Sequence, residues 1–333
     1  MATPLPLADY IPTTDATPAF SYGPVSFEVP GREVDLEMRV SAPSTGDNLP
    51  VLLLSHGHGN LNYVASMHGY NPLVDFFASH GFVVIQPTHL NSKTLGLDPT
   101  GPEGPLFWRT RARDLRFILD HLDEIAAAVP GLTGRIDPTR IAALGHSAGG
   151  QTVDMLLGQT AHDPAADNEL VNEKDDRVKV GVVLAAAGGG ADLSDAGKQR
   201  FAWAATVDFS DMTTPTLVMV GDDDVNPMFS SRPDWRADSY ILAPGSKSLV
   251  TFIGGKHSFG GVSGYDVSET TDPSTERVSV VQRLATAYIR SVLDHDPELW
   301  TAAANAATRT EPPPGADRKQ VTAPHGRSLW RRS

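Results

Sequence analysis

The chain has 333 residues, 40% hydrophobic and 20% charged, an ordinary globular composition that can bury a sizeable core. Its formal net charge of −13 argues against nucleic acid as a partner, because phosphate backbones are met by clustered Lys and Arg. No cysteine is present, which excludes disulfides, thiolate catalysis and cysteine-based metal sites. Residues 1–20 lack a charged-then-apolar leader pattern, and no apolar run approaches the roughly 20 residues that span a bilayer. The expectation is a cytoplasmic chain without a transmembrane segment; a secreted chain whose leader has been removed would read the same.

Residues 1–24, with their Pro and Thr, are expected to form an irregular arm. Val25–Val29 and Glu33–Val40 alternate apolar and polar around Pro30-Gly31, the pattern of an antiparallel strand pair. Continuous apolar runs then appear at Val51–Leu54, Phe82–Ile85, Ile141–Leu144, Val178–Ala186, Thr216–Val220 and Leu249–Ile253. Such runs suit parallel strands buried on both faces. Between them, helices are predicted over Asn71–Ser79, Leu106–Ala128, Ala148–Leu157 and Thr275–Leu293. Strand and helix alternating in this way indicate a doubly wound, mostly parallel α/β sheet with helices on both faces. Ligands are then expected beyond the carboxyl ends of the strands.

Two stretches break the alternation. Gly158–Asp176 is polar and acidic and reads as a surface excursion. Gly188–Thr214 separates two strands and combines the run Gly188-Gly189-Gly190 with Phe201, Trp203 and Phe209, which makes it a candidate lid with Trp203 against the substrate. The catalytic domain is expected over residues 25–300. Residues 301–333 read as an extension, disordered from about Thr310, where three prolines precede a basic finish at Arg327 to Arg332.

The most informative segment is Arg140-Ile-Ala-Ala-Leu-Gly-His-Ser147-Ala-Gly-Gly150: a buried strand, a Gly-x-Ser-x-Gly pentapeptide and a helix start. A sharp strand-to-helix turn exposes the serine, and small residues at 145 and 149 avoid collision with neighbouring backbone. The helix N-terminus adds N–H groups and a positive dipole end that favour developing negative charge. A second buried strand ends in Ser55-His-Gly-His-Gly-Asn60. Gly57 and Gly59 allow the turn that aims an amide into a site, and the N–H groups of His58 and Ala148 are the candidate oxyanion donors. A dinucleotide loop is a poorer reading, since the third glycine is missing. His56 is expected to pack under the loop rather than ligate a metal.

A third strand runs into Gly221-Asp-Asp-Asp224, and a fourth into Lys256-His257-Ser-Phe-Gly-Gly. A base that accepts the serine proton and a carboxylate that fixes its tautomer complete an acyl-transfer site. His257 is the expected base. Asp224 is the preferred acid, with Asp222 the alternative and Asp223 a solvated charge; a Ca²⁺ loop lacks the remaining ligand spacing. His89, in Gln86-Pro-Thr-His-Leu, is expected near the pocket as a wall or hydrogen-bond donor.

With these segments, together with Phe107-Trp-Arg-Thr-Arg-Ala-Arg-Asp114 and His257-Ser-Phe-Gly-Gly-Val-Ser-Gly-Tyr-Asp266, the chain resembles the dienelactone-hydrolase-like branch of α/β hydrolases over roughly residues 25–295. That branch includes chlorophyllases and platelet-activating-factor acetylhydrolases. The resemblance implies an α/β-hydrolase fold with a small cap between its sixth and seventh strands, here Val178–Ala186 and Thr216–Val220. It implies a serine esterase with the chain order Ser…Asp…His, acting on a small-molecule ester without metal or organic cofactor. The chain departs from true dienelactone hydrolases, whose nucleophile is cysteine. It also departs from the plasma-type acetylhydrolases, whose acid follows the sixth strand, where this chain has Ala185-Ala186-Ala187. A lipase, thioesterase, amidase or perhydrolase would use the same machinery, and a non-catalytic binding protein of the fold is the rival from another class.

Overall fold

The computed structural model describes residues 7–59, 61, 63–309 and 319–321. In chain order, strands β1 (Ala19–Phe27), β2 (Leu36–Pro43) and β3 (Leu49–Ser55) precede helix α1 (Asn71–Ser79), β4 (Val83–Pro87), α2 (Trp108–Asp120) and α3 (Leu122–Ala128). Next come β5 (Ile136–His146), α4 (Ala148–Leu157), the hairpin of β6 (Thr160–Asp163) and β7 (Glu169–Asn172), β8 (Val178–Leu184) and α5 (Asp195–Arg200). β9 (Thr216–Gly221), α6 (Asp238–Ile241), β10 (Lys247–Phe252), α7 (Thr275–Leu293), α8 (Pro297–Arg309) and β11 (Lys319–Val321) follow.

The main sheet has the order β1-β2-β4-β3-β5-β8-β9-β10-β11. Pairing is parallel from β4 to β10 and antiparallel at both edges. Successive strand side chains point to opposite faces, so each continuous apolar run feeds two cores. On one face Leu52, Leu54, Val84, Ala142 and Leu144 pack with α1, α7 and α8. On the other, Val51, Leu53, Val83, Ile85, Ile141 and Ala143 pack with α2, α3 and α4. Helices on both faces of a mostly parallel sheet are what the alternation predicted.

Several expectations need correction. The first strand begins at Ala19, inside the expected arm, and pairs with β2 across a register shift between Tyr22 and Val25. Leu7 and Ala8 are buried, and the Leu7 amide donates to Glu276 of α7 at 2.7 Å, so this part of the arm is docked. β2 starts late because the Arg32 guanidinium captures the carbonyls of Val34 and Asp35. The predicted helix Leu106–Ala128 is two helices separated at His121. No Gly or Pro marks that break; the His121 ring stacks on Phe117 and its Nδ1 donates to the Phe117 carbonyl at 2.8 Å.

The acidic excursion 158–176 contains the β6–β7 hairpin, with Asp163, Glu173 and Asp175 buried. The first two are met by α2 arginines, Arg109 reaching Asp163 and Arg113 and Arg116 reaching Glu173 at 2.8 and 2.7 Å, while Arg177 meets Asp175 at 2.6 Å. Paired acids need no solvent. Beyond residue 300, α8 buries Trp300, Ala303 and Ala307 in the core, so the globular unit continues past the expected boundary. Apart from β11, the expected disordered tail lies outside the described residues. No described helix is long and apolar enough to cross a membrane.

Candidate active site

Because β3, β5, β9 and β10 all run parallel, their carboxyl ends, at Ser55, His146, Gly221 and Phe252, share one edge of the sheet. β5 ends at His146, α4 begins at Ala148, and Ser147 between them has φ 57° and ψ −120°. A non-glycine residue held there stores roughly 1–3 kcal/mol of strain. The surrounding glycines make the turn possible. A Cβ on Gly145 would stand 2.0 Å from the Gly149 carbonyl oxygen, and one on Gly149 would stand 1.9 Å from that of Ser55. The Ser147 amide donates to the Leu184 carbonyl at 2.8 Å, which fixes the turn to β8.

Ser147 Oγ lies 2.9 Å from His257 Nε2, and His257 Nδ1 lies 2.7 Å from Asp224 Oδ2. A carboxylate only accepts, so Nδ1 carries the proton and Nε2 is left to accept from the serine. Of the three acids after β9, Asp222 and Asp223 are exposed, whereas Asp224 is buried and turned inward. Asp222 Oδ1 instead accepts the Gly254 amide at 2.6 Å and ties the β9 turn to the loop before His257. Burial around the imidazole and the nearby Arg236 cation hold His257 below its usual 6.5, against the raising pull of Asp224. Burial pushes Asp224 upward, but the His257 hydrogen bond and the charges of His257 and Arg236 outweigh it and leave the carboxyl below its ordinary value.

Arg236 carries no motif, and the sequence alone did not single it out. Its Nε bonds the same Asp224 Oδ2 at 2.8 Å, and its Nη1 donates to the Ala185 carbonyl at 2.9 Å. The acid is therefore anchored to the end of β8 as well as to the base.

The loop after β3 is pinned from below. His56 Nδ1 donates to the Gly57 carbonyl at 2.7 Å, and its Nε2 accepts the His89 amide at 3.1 Å. These partners fix a neutral imidazole, and burial keeps it neutral. In a trans peptide the carbonyl and the next N–H point opposite ways, so the His58 amide faces away from the His56 ring. The Gly57 amide donates to Tyr70 Oη at 2.9 Å, Tyr70 donates to His146 Nδ1 at 2.8 Å, and His146 Nε2 donates to the His257 carbonyl at 2.7 Å. This chain joins the Gly57 turn, the serine turn and the base loop. Burial and the adjacent His257 push His146 down to about 3, so it stays neutral and keeps both roles.

Gly59 leaves room for Glu269, whose Oε1 would stand 3.1 Å from a Cβ there. His58 is exposed, and its Nδ1 accepts from Asn91 Nδ2 at 3.2 Å. Of the two roles expected of His89, it does not form a wall at the surface, but its amide is a hydrogen-bond donor to His56 of the loop after β3. It is fully buried beneath the loop, with Nε2 3.0 Å from Ser55 Oγ and Nδ1 2.8 Å from Asp114 Oδ2. Trp203 is only 6% exposed and stacks on Trp108 at 4.7 Å and 10°, in a cluster with Leu193, Phe201 and Trp235. The segment 188–214 thus packs into an apolar cluster that it shares with α2, α4 and the β6–β7 hairpin, and Trp203 belongs to that cluster. Among the described residues no group of three or more His, Asp or Glu side chains is arranged to hold a metal ion. No family model matches the chain, and no curated protein matches it either.

Proposed function

We propose that the chain is an α/β-hydrolase-fold serine esterase that cleaves carboxylic esters through an acyl-enzyme. The observation that carries this reading is the unbroken line Asp224–His257–Ser147, with the serine on a strained strand-to-helix turn. Ser147 Oγ bonds to the ester carbonyl carbon while its proton passes to His257 Nε2. Asp224 stabilises the imidazolium and holds its orientation. The amides of His58 and Ala148 face the developing oxyanion. The tetrahedral adduct collapses as the alkoxide leaves with the proton from His257. Water then gives a proton to His257 and bonds through its oxygen to the acyl carbon. The carbon–Ser147 bond breaks, the proton returns to Oγ, and the acid is released.

The reading is tested by covalent labelling with a fluorophosphonate, followed by turnover of p-nitrophenyl esters of graded acyl length. Labelling at Ser147 with measurable turnover supports it. A folded chain that neither labels nor hydrolyses any ester in the series is the outcome expected of a non-catalytic binding protein and would overturn it.

A further inference from the structure

Arg111, on α2, is 1% exposed and lies beneath the oxyanion loop. Its guanidinium donates to Thr152 Oγ1 at 2.8 Å, to Ser55 Oγ at 3.2 Å, to the carbonyl of His56 and to Asn91 Oδ1. These acceptors belong to the end of β3, the turn after it, the loop after β4, and α4. Two of the contacts extend further. Thr152 Oγ1 donates to the Ala148 carbonyl at 2.9 Å, and Asn91 Nδ2 donates to His58 Nδ1 at 3.2 Å. One planar cation is therefore the meeting point of both backbone stretches that carry the oxyanion donors.

The geometry is directional. The His56 carbonyl and the Gly57 amide belong to one peptide plane, and it is held at both ends, by Arg111 and by Tyr70. The next plane is held at its oxygen by the His56 ring. The charge is balanced from behind: Asp114, one turn along α2, is bound by Arg32 at 3.0 Å and by His89 at 2.8 Å. Burial lowers Arg111 to about 9, which leaves it a cation at neutral pH. A guanidinium presents a fork of rigid donors that neither lysine nor an apolar side chain reproduces.

We propose that Arg111 is a positioning residue for the oxyanion hole, fixing the distance and angle between the His58 and Ala148 amides; this rests on the esterase reading above. Small misplacements of such donors matter in the transition state far more than in the ground state. The consequence is a split between kcat and KM that a purely structural arginine would not give.

The test compares wild type with Arg111→Met, Arg111→Lys and Thr152→Val, using kcat and KM on a short-chain p-nitrophenyl ester, the inactivation rate by a fluorophosphonate, and Tm. Arg111→Met is expected to lower kcat by about 100- to 1000-fold, as for loss of one donor, with KM changed by less than about threefold. Its inactivation rate should fall in parallel. Arg111→Lys should recover part of the loss. Thr152→Val, which keeps the arginine and cuts only its link to Ala148, should lower kcat by about tenfold, and it carries the test if Arg111→Met does not fold. A folded Arg111→Met or Thr152→Val with wild-type kcat overturns the positioning role. So does an activity loss that only follows the unfolded fraction. If wild type is labelled at Ser147 while either of these results is found, the esterase reading stands and the positioning role alone fails.

Discussion

Two lines of serine, histidine and aspartate run through this molecule with nearly the same bond lengths. In one, Ser147, His257 and Asp224 are joined at 2.9 and 2.7 Å; in the other, Ser55, His89 and Asp114 are joined at 3.0 and 2.8 Å. What separates them is placement. Ser147 stands on a turn at positive φ, and its histidine side chain is 37% exposed. Ser55 ends a regular strand, all three members of its line are buried, and its oxygen already accepts from Arg111. With Nδ1 of His89 donating to Asp114, the Ser55 hydroxyl can only donate to Nε2, so both of its functions are committed inside the protein. On the proposed esterase reading, a hydrogen-bonded triad of the right residue types is therefore insufficient. The serine must also be open to substrate and backed by donors for the oxyanion.

The sharpest way to break this comparison is to delete each serine. Ser147→Ala should abolish fluorophosphonate labelling and lower kcat by about 10⁶-fold, the scale seen for nucleophile loss in a serine protease. Ser55→Ala should keep the label while losing about 1–3 kcal/mol of stability, because Arg111 and His89 lose a buried partner. Label surviving in Ser147→Ala would transfer the nucleophile elsewhere. The next largest contrast is between the carboxylates. Asp224→Asn should cost about 10⁴-fold in kcat, since it disturbs the tautomer of the base, and it should also lower Tm, because buried Arg236 loses its carboxylate. Asp114→Asn leaves the buried Arg32 and Arg111 cations without a counter-charge and should cost about 3–5 kcal/mol, read by denaturant unfolding. If Asp222→Asn proves the more damaging of the acid-loop substitutions in turnover assays, the exposed acid has taken the role given to Asp224.

Much of this was legible beforehand, and the reason is local. Helices Asn71–Ser79, Ala148–Leu157 and Thr275–Leu293 fall within their predicted bounds, because apolar period and turn residues mark both ends. Ser147, His257 and Asp224 were readable because each closes a buried strand with its own turn chemistry. What was hidden depends on partners distant in the chain. Tyr70 meets His146 across 76 positions, and His146 meets the His257 carbonyl across 111. Nothing near Arg236 foretells its contact with Asp224, and nothing near His89 foretells that Asp114 would draw it inward. The acidic hairpin misled for the same reason, since its burial is decided by arginines on another helix.

The electrostatics of the open line give a smaller effect with a definite sign. In the proposed mechanism a neutral His257 takes the proton, and its folded pKa lies below 6.5. The acid limb of kcat/KM should therefore fall below pH 6.5, with a plateau at neutral pH. In the same window the unfolded chain binds more protons at this position, so its stabilising contribution is lost as pH drops below 6.5. Arg236→Gln removes a cation that lowers His257, and it frees Asp224 to raise it. Both effects have the same direction, so the acid limb should move up towards 6.5. A limb that stays in place or moves down in a pH–rate profile would show that Arg236 does not set the base.

The smallest effect on chemistry is expected from Trp203, although the sequence suggested a substrate-facing lid. Its ring lies flat on Trp108, and Leu193, Phe201 and Trp235 complete the cluster. An aromatic ring with both its surface and its partner buried contributes mainly to holding the segment 188–214 against α2. Trp203→Ala should lower stability by about 3–5 kcal/mol, the range for truncating a buried tryptophan. On the proposed esterase reading, the order of preference among p-nitrophenyl esters of different acyl length should stay as in wild type, because Ser147, Asp224, His257 and the His58 loop follow β5, β9, β10 and β3 rather than lying in the segment 188–214. Thermal denaturation and the chain-length series on the same preparation decide the matter. A variant that keeps its Tm but inverts the chain-length preference would return Trp203 to the substrate.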